Sequence, residues 1–166
     1  MLIMDSNVAI GLGSNLGLSG QTVETALELL EGYEGIRVKK RSHWYRTIPV
    51  GPPQPDYING CAILEVTVSP QSLLETLLEI EKTLGRVRGE RWGPRTLDLD
   101  LLLFDDLILN TPTLEIPHPR MRDRAFVLVP LAEIAPEWID PISKKAIAQL
   151  LETIDQSGVQ KLTLTN

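Results

Sequence analysis

Arg86-Val-Arg-Gly-Glu-Arg-Trp-Gly-Pro-Arg-Thr-Leu-Asp-Leu-Asp-Leu-Leu-Leu-Phe104 passes from a loop into a strand. Glycine and proline break its first half, which carries Arg86, Arg88, Arg91 and Arg95. The second half alternates Asp98 and Asp100 with Leu97, Leu99 and Leu101. Side chains two apart share one face of a strand, so the aspartates point one way and the three leucines the other. Two carboxylates on one face repel each other and lose hydration if buried. A divalent cation removes that cost, and hard cations take carboxylate oxygens. A metal beside clustered arginines suits a polyphosphate. The stretch reads as equipment for Mg–nucleotide chemistry. The plainer alternative is a pair of aspartates bridged to arginines on an exposed strand.

Upstream, residues 7–13 read as a first strand running into a turn at 14–17. Residues 20–33 place Val23, Ala26, Leu27, Leu30 and Tyr33 at helical spacing, with Gly35 just past the end. Residues 36–46, rich in β-branched, aromatic and basic types, read as a second strand. Four prolines between Thr47 and Pro55 then demand a loop of restricted shape. Residues 57–68 form a third strand. Ser69 as N-cap and Pro70 at the first helical position start a helix whose buried face is Leu73, Leu74, Leu77, Leu78 and Leu84. After the Asp strand, residues 111–119 read as another proline-fixed loop. Residues 120–134 have helical character, with Pro130 expected to start or break a segment. Residues 144–154 read as a short amphipathic helix before a weakly patterned tail. The order β-α-β-β-α-β with additional C-terminal helices predicts an α+β, ferredoxin-like fold and a single domain over residues 1–166.

A net charge of −6 disfavours nucleic acid and anionic membrane as partners. Seven of the ten arginines nevertheless fall in segments 86–95 and 120–124, a pattern suited to a small anionic ligand. Cys61 is the only cysteine, so no internal disulfide is expected. The N-terminal residues lack the pattern of a signal peptide, and no apolar run approaches the roughly 20 residues of a membrane span. These features lead to the expectation of a cytoplasmic protein, and a monomer is the expected state.

Gly11-Leu-Gly-Ser-Asn-Leu-Gly17 is a weak match to a phosphate-cradling loop and reads mainly as a tight strand-to-helix turn. His118, fixed between Pro117 and Pro119, has Arg120, Arg122 and Arg124 beside it, which favours a phosphate partner. Glu81 sits at the edge of an apolar helix face, where it either bonds a loop backbone or stays solvated. Trp92 is equally readable as a core aromatic or as part of a nucleotide lid. His43 has no such company, and Cys61 reads as a small buried hydrophobe. No Ser–His–Asp or Cys–His order supports a nucleophilic mechanism.

Together these segments resemble the 6-hydroxymethyl-7,8-dihydropterin pyrophosphokinase family over about residues 8–140. The resemblance rests on Gly11–Gly17, Tyr45-Arg-Thr47, Gln54-Pro-Asp-Tyr-Ile-Asn59, Gly85-Arg-Val-Arg88, Arg91–Asp100 and Ile116-Pro-His118. It implies transfer of pyrophosphate from ATP to the pterin hydroxymethyl group, releasing AMP, in folate synthesis. It also implies two Mg²⁺ ions on Asp98 and Asp100, and catalytic roles for Arg86, Arg95 and His118. Thr47, Val50, Tyr57, Asn59 and Phe126 match the pterin pocket. Glu81, Arg88, Trp92, Arg95, Leu101, His118 and Arg124 match ATP-binding positions. Leu78, Thr113, Glu115 and Pro119 depart from nucleotide-contacting positions of some members, which shifts adenine recognition towards main-chain groups. The rival reading is a ferredoxin-like nucleotide- or RNA-binding module without catalysis. It would need a basic surface and exposed sheet aromatics, and the chain holds only eight aromatic residues.

Overall fold

The computed structural model describes residues 5–14, 19–47, 57–85 and 97–162. Val8, Ile10 and Leu12 alternate with the small residues Ala9, Gly11 and Gly13 along β1 (Ser6–Ser14). The large set faces helices, and the small set turns to the other side of the sheet. β1 pairs antiparallel with β4 (Tyr57–Val66) on one side and with β5 (Leu97–Phe104) on the other. β2 (Ile36–Arg41) and β3 (Tyr45–Thr47) both pair with the far side of β4. The order β5-β1-β4 followed by β2 and β3 is the split βαβ arrangement expected of a ferredoxin-like sheet. α1 (Ser19–Glu31) and α2 (Pro70–Gly85) lie against one face. α2 begins as its sequence requires, with the Ser69 hydroxyl accepting the Ser72 N–H at 3.1 Å.

The two faces have separate cores. Val8, Ile10, Leu12, Leu97, Leu99 and Leu101 pack with Val23, Leu30, Leu73 and Leu77. On the other face Ala9, Cys61, Ile63, Leu102 and Leu103 pack with Met121, Leu128, Leu131 and Ile147. Leu102 is an extra residue where the β1–β5 register shifts between Ala9 and Ile10. This bulge lets Leu102 and Leu103 both serve the second core.

Several elements differ from their sequence reading. The second strand is two strands, because residues 42–44 leave the sheet. Ser42 Oγ accepts the Cys61 N–H at 2.9 Å, and Trp44 turns over Gly60 into the first core. The loop at 111–119 contains half of a short hairpin, β6 (Leu109–Asn110) with β7 (Glu115–Ile116). Pro130 neither starts nor breaks a segment; it lies inside α3 (Ala125–Ile134). One missing hydrogen bond is tolerated there because Val127, Leu128 and Leu131 are buried against the sheet. The last helix, α4 (Ile147–Glu152), is shorter than expected, since Lys144 takes a positive φ of 66°. The tail supplies β8 (Val159–Lys161), which pairs with β3.

Gly60 of β4 has little room around it. A Cβ there would lie 2.5 Å from two carbons of the Trp44 ring. The ring cannot easily retreat, because its Nε1 donates to Glu24 at 2.7 Å and Arg41 stacks 5.4 Å above it. Gly60→Ala should therefore cost about 1–3 kcal/mol of stability by overpacking, read as a lower urea midpoint with an unchanged slope.

Candidate active site

α3 covers only part of the second sheet face. Beside its first turn a cavity of about 520 Å³ opens over the sheet, a size suited to a small-molecule ligand. Its floor is built in register. Gly13 of β1 lies between Asp98 of β5 and Asn59 of β4, and Gly11 lies between Asp100 and Cys61. At about 4.8 Å per strand, Asp98 and Asn59 stand about 10 Å apart across a strip without side chains. Gly11 and Gly13 thus belong to the first strand, as the reading of residues 7–13 expected, and the rest of the glycine motif, residues 15–17, lies outside the described residues.

On the β4 side, Asn59 is buried and its Nδ2 donates to Thr47 Oγ1 at 2.8 Å. A Cβ on Gly13 would come within 2.9 Å of Asn59 Oδ1, so glycine leaves the amide its space. Tyr57 also lines this side, and Phe126 and Val127 of α3 form the opposite wall. Four of the five residues expected for a flat heterocycle therefore share one cavity: Thr47, Tyr57, Asn59 and Phe126. The fifth, Val50, lies outside the described residues.

On the β5 side, Asp98 and Asp100 point into the cavity, away from buried Leu97, Leu99 and Leu101. Asp98 stands at the exposed mouth, yet its surroundings hold its pKa above the usual carboxylate value. Burial is the main cause, repulsion from Asp100 adds to it, and Arg124 opposes it. This is the electrostatic signature of a site that favours a cation. Two hard oxygen donors fit Mg²⁺, which binds through one or two carboxylates and completes its shell with phosphates and water. Among the described residues no group of three or more His, Cys, Asp and Glu side chains comes together.

Arg124 caps the start of α3, lines the cavity and stacks 5.5 Å from the Phe126 ring. His118 is fixed beside β5 by its N–H, which donates to Leu102 O at 3.0 Å. Its Nδ1 accepts the Arg120 N–H at 3.1 Å, so the neutral ring carries its proton on Nε2. Burial lowers the His118 pKa, Asp100 pulls it up, and Arg124 and Arg120 push it down. A neutral donor beside the carboxylates results.

Other expected residues fall elsewhere. Arg122 turns away to fully buried Asp140, with Nη2 at 3.1 Å, so it anchors the C-terminal loop instead of joining His118. Glu81 resolves as a backbone partner: its Oε2 accepts the Leu99 N–H at 2.7 Å, between the two aspartates. The Leu101 side chain is in the first core, so only its main chain is available to a nucleotide. Arg86, Arg88, Arg91, Trp92 and Arg95 lie outside the described residues. The sequence reading assigned no role to Glu133 of α3, which receives hydrogen bonds from Tyr45 and His43.

Comparison with known proteins adds to this geometry. The family model described as 7,8-dihydro-6-hydroxymethylpterin-pyrophosphokinase (HPPK) matches residues 9–136. The chain is 54% identical over 150 residues to the 2-amino-4-hydroxy-6-hydroxymethyldihydropteridine pyrophosphokinase of Synechocystis sp., covering 90% of this chain and 77% of the relative. It is 41% identical to the enzyme of the same name from Pseudomonas aeruginosa, covering 96% and 98%. The folic acid synthesis protein fol1 of Schizosaccharomyces pombe is 34% identical over 91% of this chain, which spans 21% of that protein. Among solved structures, Plasmodium falciparum HPPK-DHPS with pteroate superposes with a TM-score of 0.73 at 14% identity, over 92% of this chain and 43% of that one. An HPPK-DHPS in complex with substrates gives a TM-score of 0.77 at 15% identity, over 97% and 47%. At such identity these structures speak for the fold, and the chain spans less than half of each.

The electrostatic strain at Asp98 has a measurable sign. A carboxyl whose folded pKa is raised above its unfolded value weakens the fold as pH rises through the folded value. Asp98→Asn should therefore raise the thermal midpoint at pH 7 in metal-free buffer. The gain should vanish below about pH 4, where the aspartate is itself protonated. A variant no more stable than the parent at pH 7 would count against repulsion in the site.

Proposed function

The chain belongs to the 7,8-dihydro-6-hydroxymethylpterin-pyrophosphokinase family, and from that we propose that the cavity between β5, β4 and α3 is its active site. As a member it is a diphosphotransferase of folate biosynthesis, with ATP as co-substrate. The observation that carries the assignment to this cavity is the row Asp98–Gly13–Asn59. It sets a cation-favouring carboxylate and a heterocycle-reading amide on one floor with bare backbone between them. A non-catalytic RNA-binding module is not favoured, since α3 packs on the face such a module would use.

In this reading the pterin lies in the slot between Phe126 and the Asn59–Thr47 pair. Its ring stacks on the aromatic wall, and Asn59 reads the hydrogen-bonding edge. The triphosphate lies over β5. Mg²⁺ held by Asp98 and Asp100, two ions in the fullest version, would neutralise phosphate charge and lower the pKa of the attacking hydroxyl. Arg124, which lines the cavity, and the Nε2–H of His118, held beside β5, donate to phosphoryl oxygens as charge develops. Arg86 and Arg95 would join them as catalytic donors, while Arg88 and Trp92 would close over ATP. The hydroxymethyl oxygen attacks the β-phosphorus in line, a new O–P bond forms as the hydroxyl proton passes to water, and the bond from the β-phosphorus to the α–β bridging oxygen breaks to release AMP. No covalent enzyme intermediate is needed; the chain works by positioning and electrostatics. The reading keeps a monomer of one domain. Among the described residues no helix is long and apolar enough to cross a membrane, and the buried free thiol of Cys61 fits a cytoplasmic setting.

Two results test this. Asp98→Ala and Asp100→Ala should each lower AMP formation by at least about 100-fold while the chain stays folded. Near-normal turnover in either would remove the carboxylates from the chemistry. Asn59→Ala leaves a buried pterin edge unpaired and should weaken pterin affinity roughly 5- to 150-fold, with MgATP affinity nearly unchanged. Equal loss of both ligands in calorimetric titrations would show that the two do not occupy separate parts of the floor.

A further inference from the structure

One polar cluster lies outside the chemistry described so far. Glu133 is near the end of α3. Its Oε1 accepts the Tyr45 phenol at 2.6 Å and the His43 N–H at 3.0 Å, and its Oε2 lies 2.6 Å from His43 Nδ1. Bonds of this length to a carboxylate are charge-assisted and strong. Burial opposes the charge on Glu133, but Tyr45 and His43 outweigh it and hold the carboxyl below its usual range.

The cluster ties together the two walls of the cavity. On the helix, Glu133 stands two turns beyond Phe126 and on the same face. On the sheet, Tyr45 pairs directly with Asn59 and shares a strand face with Thr47. Between Phe126 and Glu133 sits Pro130, which has no N–H to give the Phe126 carbonyl. The first turn of α3 is thus joined to the rest of its helix by one hydrogen bond fewer, and lateral contacts matter more to its position.

We propose that Glu133, acting through Tyr45 and His43, is a positioning residue that sets the width of the slot between Phe126 and the Asn59–Thr47 pair. The clasp governs affinity for the flat heterocycle and leaves the phosphate end untouched. This rests on the functional reading above.

The test uses the full chain with Tyr45→Phe, Glu133→Ala and Glu133→Gln, titrated calorimetrically with 6-hydroxymethylpterin and with a non-hydrolysable MgATP analogue. Tyr45→Phe removes one oxygen and keeps the test open if Glu133→Ala does not fold. Both should weaken pterin binding by roughly 10-fold and leave the analogue within about 2-fold. In assays of AMP formation, KM for the pterin should rise with kcat little changed. Glu133→Gln should restore most of the affinity, because one amide oxygen can accept from both Tyr45 and the His43 N–H. Pterin affinity within about 2-fold of the parent in folded Tyr45→Phe overturns the proposal, as does equal loss of both ligands. A parent chain that binds no pterin overturns the functional reading itself. Amide exchange at Leu128, Val129 and Leu131 in the ligand-free chain still reports on the clasp. Faster exchange in Tyr45→Phe upholds it, and unchanged exchange removes it.

Discussion

The site depends on the backbone hydrogen bonding of β1. This strand pairs with β4 on one edge and β5 on the other, and its two ladders fix which residues face which across the sheet. A slip of one residue on either side would send Asp98 or Asn59 into the helical core. The large residues of β1 prevent the slip. Val8, Ile10 and Leu12 are essentially fully buried, and a shifted register would expose them. The hydrophobic effect on one face of the sheet therefore fixes the positions of polar groups on the other.

The polar face is correspondingly under tension. Burial and, after it, Asp100 both work against the charged form of Asp98. Glu81 sits close enough for both aspartates to raise its own pKa, after the larger effect of burial. Glu81 meets a need of β5, the edge strand among the described residues, because its Oε2 accepts the Leu99 N–H. Crowding two carboxylates on one strand face, with Glu81 near enough to feel both, costs stability. Stability given up locally in this way is common where charge must be held ready.

Much of this was legible in the residues. Period-two alternation at 97–101 placed the aspartates on one face, and the Ser69–Pro70 start of α2 held to the residue. The misreadings share a cause: local signals were outvoted by partners distant in sequence. Trp44 breaks the second strand because Gly60 makes room for it. Pro130 stays inside a helix because the sheet buries that helix. Arg122 looked like a phosphate ligand until Asp140 claimed it. β8 was invisible because a three-residue strand with exposed ends carries little pattern, and it forms only against an edge that β3 provides. Among the described site residues, a resemblance to the family supplied the roles, while only the structure supplied the row that brings Asp98, Gly13 and Asn59 together.

The placement of the floor has a consequence for binding thermodynamics. Its central members belong to β1 and β4, the innermost strands of the sheet, and Gly11, Gly13 and Asn59 are among their buried residues. Such strands open only when the whole domain opens. The conformational entropy of this wall is lost when the protein folds, so little remains to be lost when a ligand arrives. A heterocycle meets a pre-organised surface, and interaction with that wall can appear almost undiminished as affinity.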